Sequence, residues 1–146
     1  MLTPDVNVLV AAYRADHPHH RPAREWLEAE VRATTEGSRL LLLPMVCVSF
    51  VRLVTHPRIF PVAATAAEAL GFIDALLATP GCQMAELDRE WPVFAALCAG
   101  HSLCANIVQD AWIAAIVRTT GAKLATFDRD FLALLDAHEL TLLSPA

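Results

Sequence analysis

Residues 106–131, NIVQDAWIAAIVRTTGAKLATFDRDF, limit the possible folds of this chain more than any other stretch. Ile107, Ile113, Ala114 and Val117 repeat at helical spacing along one face, and Gly121 stands where such a helix ends. Residues 123–127 then read as a short buried strand, with Asp128 and Asp130 at its carboxyl end and Asp110 near the start of the helix. One helix start and one strand end thus present carboxylates to what is expected to be a single crevice. Open α/β sheets bind their ligands there, outside the carboxyl ends of the strands.

The same grammar recurs upstream. A strand is expected to end at Asp5 and a helix to begin near Asn7, which sets a carboxylate between strand and helix N-terminus. A plain helix cap explains Asp5 equally well at this stage. Residues 17–20 hold three histidines around a proline and read as an exposed turn, followed by an amphipathic helix over 21–32 and a loop over 34–38. Residues 39–43, RLLLL, form a continuous apolar strand of the kind buried on both faces in parallel sheets, and Pro44 suits the first turn of the next helix. On that helix Ser49 and Arg52 share a face. Ser49 can bond back to its own helix, and Arg52 can form a partly buried ion pair with an Asp. Residues 55–61 are a proline-punctuated loop carrying His56 and Arg58. A helix over 65–78 is expected to carry a capping box from Thr65 and Glu68, and Pro80-Gly81 breaks it. A short strand over 82–87, a helix from Arg89 capped by Asp88, and an edge strand over 139–143 complete the chain. Alternating strands and helices predict one domain spanning residues 1–146, α/β in class, with three α/β/α layers and a mostly parallel central sheet.

Composition narrows the function. The chain is 55% hydrophobic and only 18% charged, which implies an apolar surface that a partner normally covers. No run reaches the roughly 18 apolar residues of a membrane span, and MLTPDVNVLV lacks the basic start of a signal peptide, so a cytoplasmic protein with no membrane partner is expected. A net charge of −5 argues against a generic nucleic-acid binder held by a broad basic surface. It leaves room for an enzyme that gathers carboxylates around a metal and touches RNA with a few local arginines. Cys98, His101 and Cys104 lack a fourth zinc ligand nearby, so the four cysteines are expected to be reduced structural thiols.

Asp5, Asp110 and Asp128 all fall at strand ends or helix starts. Carboxylates brought together repel one another, and a hydrated Mg2+ or Mn2+ relieves the repulsion while lowering the pKa of a bound water and offsetting charge on a scissile phosphate. Four pieces in order, PDVNVLV, SFVRLVTHPRIF, NIVQDAWIAAIVRTTGA and LATFDRDF, make the chain resemble the PIN-domain nucleases, and among them the VapC-type toxins of bacterial toxin–antitoxin pairs. The resemblance covers nearly the whole chain. It implies a metal-dependent endoribonuclease, homodimeric, silenced by a cognate VapB-like antitoxin that lies across the active site. By match of motif, Asp5, Asp110 and Asp128 are the catalytic metal carboxylates, Asn7 supports them from behind, and Thr126 lines the site with its hydroxyl. Asp130 is either a fourth acid or a helix cap, with the cap favoured. Ser49 occupies the slot where the family usually has a Glu, three residues before the Arg. A single-metal mechanism with Ser49 holding a metal-bound water would survive that loss.

Two other functions fit parts of the pattern. A catalytically weak PIN domain that mainly binds RNA or an antitoxin would account for the missing Glu. An aspartyl-nucleophile phosphatase would use the DVN after the first strand, but it wants a second Asp where Asn7 stands. The apolar residues Phe50, Trp91 and Phe94 are either core or the wall of a groove for a partner helix, and Arg52 or Arg58 can hold either a partner carboxylate or an RNA phosphate.

Overall fold

Short apolar runs form the sheet. In the computed structural model, which describes Met1–Ala146, five strands pair in the order β3-β2-β1-β4-β5. They are β1 (Leu2–Pro4), β2 (Leu40–Leu42), β3 (Cys82–Met84), β4 (Lys123–Thr126) and β5 (Leu140–Leu142). Every pairing is parallel. All three leucines of β2 are buried, as the RLLLL run predicts for a strand covered on both faces. Six helices flank the sheet in three layers: α1 (Val6–Tyr13), α2 (His20–Thr34), α3 (Pro44–Val54), α4 (Ala66–Leu77), α5 (Glu90–His101) and α6 (Ile107–Thr120). No helix is long and apolar enough to cross a membrane.

Local chemistry sets most element ends. Pro44 sits in the first turn of α3, where its missing N–H is not needed. Thr65 and Glu68 make the reciprocal capping box at the start of α4. Gly121 ends α6 in the left-handed region at φ 70°. One expected cap is displaced: α5 begins one residue later than Asp88 could serve, Arg89 takes the N-cap position without a side-chain bond, and Asp88 forms only a loose exposed pair with Arg89 at 3.9 Å.

A cluster of 34 buried residues forms the core. Phe50 belongs to it, fully buried and packed edge-on against Tyr13 at 5.4 Å. Trp91 does not, being 69% exposed. Cys47 and Cys82 are buried, and burial pushes the Cys47 thiol up to about 11, which keeps it protonated and inert. Cys104, by contrast, is exposed, so the expectation of structural thiols fails there.

The turn between α5 and α6 is built from two non-glycine residues with left-handed backbone, Ser102 at φ 51° and Ala105 at φ 57°. An L-residue pays roughly 1–2 kcal/mol for that conformation, whereas glycine adopts it freely but loses more entropy on folding. Ala105→Gly is therefore expected to stabilise the protein by up to about 1 kcal/mol, seen as a rise of about 2–4 °C in Tm. An unchanged or lower Tm would show that the turn carries no strain at Ala105.

Candidate active site

The sheet order places the site. β1 is central, with β2 on one side and β4 on the other, so the chain reverses its winding direction between β1 and β4. The crevice at such a reversal, beyond the carboxyl ends of the strands, is the natural ligand site of this architecture. Pro4 pairs with Ala125, and the Asp5 N–H donates to the Ala125 carbonyl at 2.9 Å, which ties the two strand ends together. Asp5 follows β1, Thr126 closes β4, Asp128 comes two residues later, and Asp110 enters from the first turn of α6.

Asp5 is 4% exposed and firmly held. Its Oδ1 accepts from the Val6 N–H at 2.7 Å, which caps α1. Its Oδ2 accepts from the Thr126 hydroxyl at 2.7 Å and from Asn7 Nδ2 at 3.0 Å. A carboxylate has about four lone-pair sites, so about one remains free. Asp5 thus caps α1 and at the same time lines the acid cavity, two positions that the sequence offered as alternatives. Asn7 Nδ2 also donates to Thr126 Oγ1 at 3.0 Å, and Asn7 Oδ1 accepts from the Phe127 N–H at 3.2 Å. Thr126 is fully buried and its oxygen accepts in turn from the Asp128 N–H at 3.0 Å. Asn7 and Thr126 thus brace Asp5 and the backbone leading to Asp128.

Asp110, Asp128 and Asp130 each offer a carboxylate oxygen within 4.8 Å of the others. Asp5 stands outside that tight triad but lines the same cavity, of about 210 Å3, together with Asn7, Ser49, Asp110 and Asp128. None of the four acids takes part in an ion pair. The electrostatic consequence is direct. Burial, and then the charges of Asp128, Asp5 and Asp130, push the Asp110 carboxyl up to about 6. Burial also raises Asp5, against the lowering effect of its hydrogen bonds. Clustered carboxylate oxygens without a protein cation are the donor set of a hard divalent cation, and Asp110, Asp128 and the exposed Asp130, with the buried Asp5 beside them, fit Mg2+ or Mn2+.

Two assignments change. Asp130 is not the cap. Asp128 is, with its Oδ1 accepting the Asp130 N–H at 2.8 Å to open a short 3-10 turn over Arg129–Ala133. The Asp130 carboxylate is left free to join the triad. Arg52 is exposed and unpaired, so the partly buried ion pair with an Asp does not form. Ser49 reaches the cavity without bonding back to its helix, unlike Thr55, whose hydroxyl donates to the Val51 carbonyl at 2.7 Å. Cys98, His101 and Cys104 do not come together as metal ligands. Trp112 and Gln109, which also line the cavity, were not singled out by their sequence positions; their i, i+3 relation to each other on the helix that carries Asp110 was the available signal.

Comparison with known proteins places the chain in a family. The PIN domain family model matches residues 2–135. Ribonuclease VapC31 of Mycobacterium tuberculosis H37Rv is 34% identical over 128 residues, covering 87% of this chain and 88% of the relative. Ribonuclease VapC43 of the same organism is 35% identical over 132 residues, covering 90% and 88%. Among solved structures, VapBC2 from Rickettsia felis bound to a promoter DNA fragment superposes with a TM-score of 0.68 at 13% identity, covering 98% of each chain, a likeness of fold alone. With the family model spanning nearly the whole domain and VapC ribonucleases aligned over most of its length, the chain belongs to the PIN-domain family, in its VapC-type branch.

Proposed function

We propose that this protein is the endoribonuclease toxin of a VapBC-type pair, cleaving RNA phosphodiester bonds with a carboxylate-bound Mg2+ or Mn2+. The observation that carries the proposal is the convergence of Asp5, Asp110 and Asp128 on one cavity, with the exposed Asp130 clustered against Asp110 and Asp128 and no cation of the protein paired with any of the four. Asp5, Asp110 and Asp128 are its metal carboxylates. Asp130 brings the acids at the site to four, which offsets the charge lost where Ser49 replaces the family's Glu. When bound, the cation supplies Lewis-acid stabilisation of phosphate oxygens and a water of lowered pKa. The chain's residues do the rest. Thr126 and Asn7 fix the Asp5 carboxylate at the cavity wall, and Ser49 offers a hydroxyl to orient a water. Arg52 and Arg58, exposed and outside every ion pair, are free to meet the RNA backbone.

By analogy with the VapBC relatives, the toxin works in the cytoplasm as a homodimer and is silenced by a VapB-like antitoxin. Induced alone it should arrest growth, and co-expression of the neighbouring small reading frame should relieve the arrest. The purified chain should cleave RNA with Mn2+ or Mg2+ and stop on chelation. Binding of RNA without metal-dependent cleavage would instead favour the second reading, a catalytically weak PIN domain, which Ser49 at the cavity wall motivates.

Metal linkage gives a further expectation. A carboxyl raised in the folded state costs stability increasingly as pH climbs from its ordinary value to its folded one, the cost is complete above the folded value, and a bound cation cancels it. Below about pH 6 the folded Asp110 carries a proton, which competes with the metal for the carboxylate. Mn2+ should therefore raise Tm clearly at about pH 7.5 and much less at about pH 5. An equal rise at both values would mean that the cation binds elsewhere.

A further inference from the structure

Beside the acid cavity lies a second space that the nuclease chemistry does not use. Glu90, Trp91, Phe94, Val108, Gln109 and Trp112 line a groove of about 250 Å3 between the starts of α5 and α6. Gln109 and Trp112 also line the acid cavity, so the two spaces share a wall. The rings of Trp91 and Phe94 lie 5.3 Å apart, and Trp91 is 69% exposed. A larger apolar groove of about 500 Å3, between α1, α2 and α4, shares no residue with the acid cavity, so a ligand there would not touch the reacting phosphate.

We infer that the α5–α6 groove is a nucleobase subsite: it takes one unstacked base of the RNA next to the scissile phosphate. This rests on the nuclease reading above. With 16 acidic against 11 basic residues, the chain gains little affinity for RNA from its overall charge, so uncharged contacts must supply it. Stacking on aromatic faces does that, since every base has a π-face and none carries the charge that the acids repel. The polar rim adds selectivity. Glu90 only accepts hydrogen bonds and Gln109 both donates and accepts. A base whose edge carries donors suits Glu90, and guanine, with its N1–H and N2–H side by side, suits a two-oxygen acceptor best. Trp91, Phe94 and Trp112 are therefore positioning residues for substrate, and Glu90 and Gln109 determine which base is preferred.

The test compares full-length wild type with Trp91→Ala, Trp91→Phe and Glu90→Gln on short single-stranded RNA. Sequencing of the ends that wild type produces identifies the base favoured beside the cut. Trp91→Ala should lower kcat/KM on that RNA by roughly 5- to 150-fold, one stacked base's share, chiefly through KM. On the same RNA made abasic at that position the substitution should have no effect. Trp91→Phe should restore most of the loss, and Glu90→Gln should erase the preference for guanine. Equal losses on intact and abasic RNA would overturn the inference by showing a structural role. So would unchanged kinetics accompanied by an altered sedimentation mass, which would make the groove a protein–protein contact. A wild type that neither binds nor cleaves RNA overturns the nuclease reading itself, and is thereby distinct from either result.

Discussion

Asp110→Asn is expected to abolish RNA cleavage and, in the absence of metal, to make the protein more stable. Asp110 supplies one oxygen of the tight carboxylate triad, and amide nitrogen and oxygen cannot replace a charged ligand of Mg2+ or Mn2+. Metal stabilisation of a phosphoryl transition state is worth several kcal/mol, so losing it should lower kcat/KM by roughly 10³-fold. The stability effect has the opposite sign. Burial, Asp128, Asp5 and Asp130 raise the Asp110 carboxyl from its ordinary 3.8 to about 6 in the folded protein. Its ionised form is therefore disfavoured by folding, and the destabilisation grows as pH rises from the ordinary value through the folded one. Asparagine keeps the shape without the charge. In EDTA the variant should melt higher than wild type at about pH 7.5, and the gap should close as pH falls toward 4. With Mn2+ present at neutral pH the order should reverse, because only wild type is stabilised by the cation. Full activity in the variant would remove Asp110 from the site. A melting difference that ignores pH would show that the neighbouring acids do not strain it.

How far the sequence alone reveals this site depends on whether the governing interaction is local. Thr65 with Glu68, Pro44 and Gly121 act within a few residues of themselves, and each element end they predict is found. The parallel α/β/α architecture follows from strands such as RLLLL that only burial on two faces explains. Asp128 and Asp130 are harder. In the string TFDRD both acids look alike, and only the backbone turn decides that Asp128 accepts the Asp130 N–H while Asp130 faces the triad. The signal was nevertheless present, because an Asp two residues before a backbone donor is a common turn device. Trp91 could not be placed from spacing, since α5 has apolar residues on all sides and buries only Leu97 fully. The same ambiguity hid the groove. Arg52 misled for a different reason: an apolar helix suggests that its lone cation needs a partner, yet its side chain lies in solvent. Least legible of all was the reach of Thr126, whose closest partner, Asp5, lies 121 positions away.

Thr126→Val tests that reach. Valine keeps the shape of threonine and removes one oxygen, but this oxygen serves three residues. It donates to Asp5 at 2.7 Å and accepts from Asn7 Nδ2 and from the Asp128 N–H, both at 3.0 Å. The site is fully buried, so water does not readily replace it. A hydrogen bond to a charged group contributes about 1.5–3 kcal/mol, and a buried donor left without an acceptor costs about 1–3 more. We expect a loss of about 3 kcal/mol, or about 6–12 °C in Tm for a chain of this size. The loss should depend on pH. Burial already raises the Asp5 carboxyl, and Thr126 is the largest influence pulling it back down. Without the hydroxyl, Asp5 rises further, so the variant bears an added cost wherever wild-type Asp5 would be ionised. The Tm gap should be widest at neutral pH and narrow on acidification, as protons neutralise Asp5 in both proteins. Activity should fall together with metal affinity, since supporting partners of ligands typically account for about 10–100-fold in either. Thr126→Ser, which keeps the oxygen, should recover most of both. If valine melts like wild type at every pH, the Asp5–Asn7–Thr126–Asp128 network does not hold the site, and the carboxylates owe their positions to the strand ends alone.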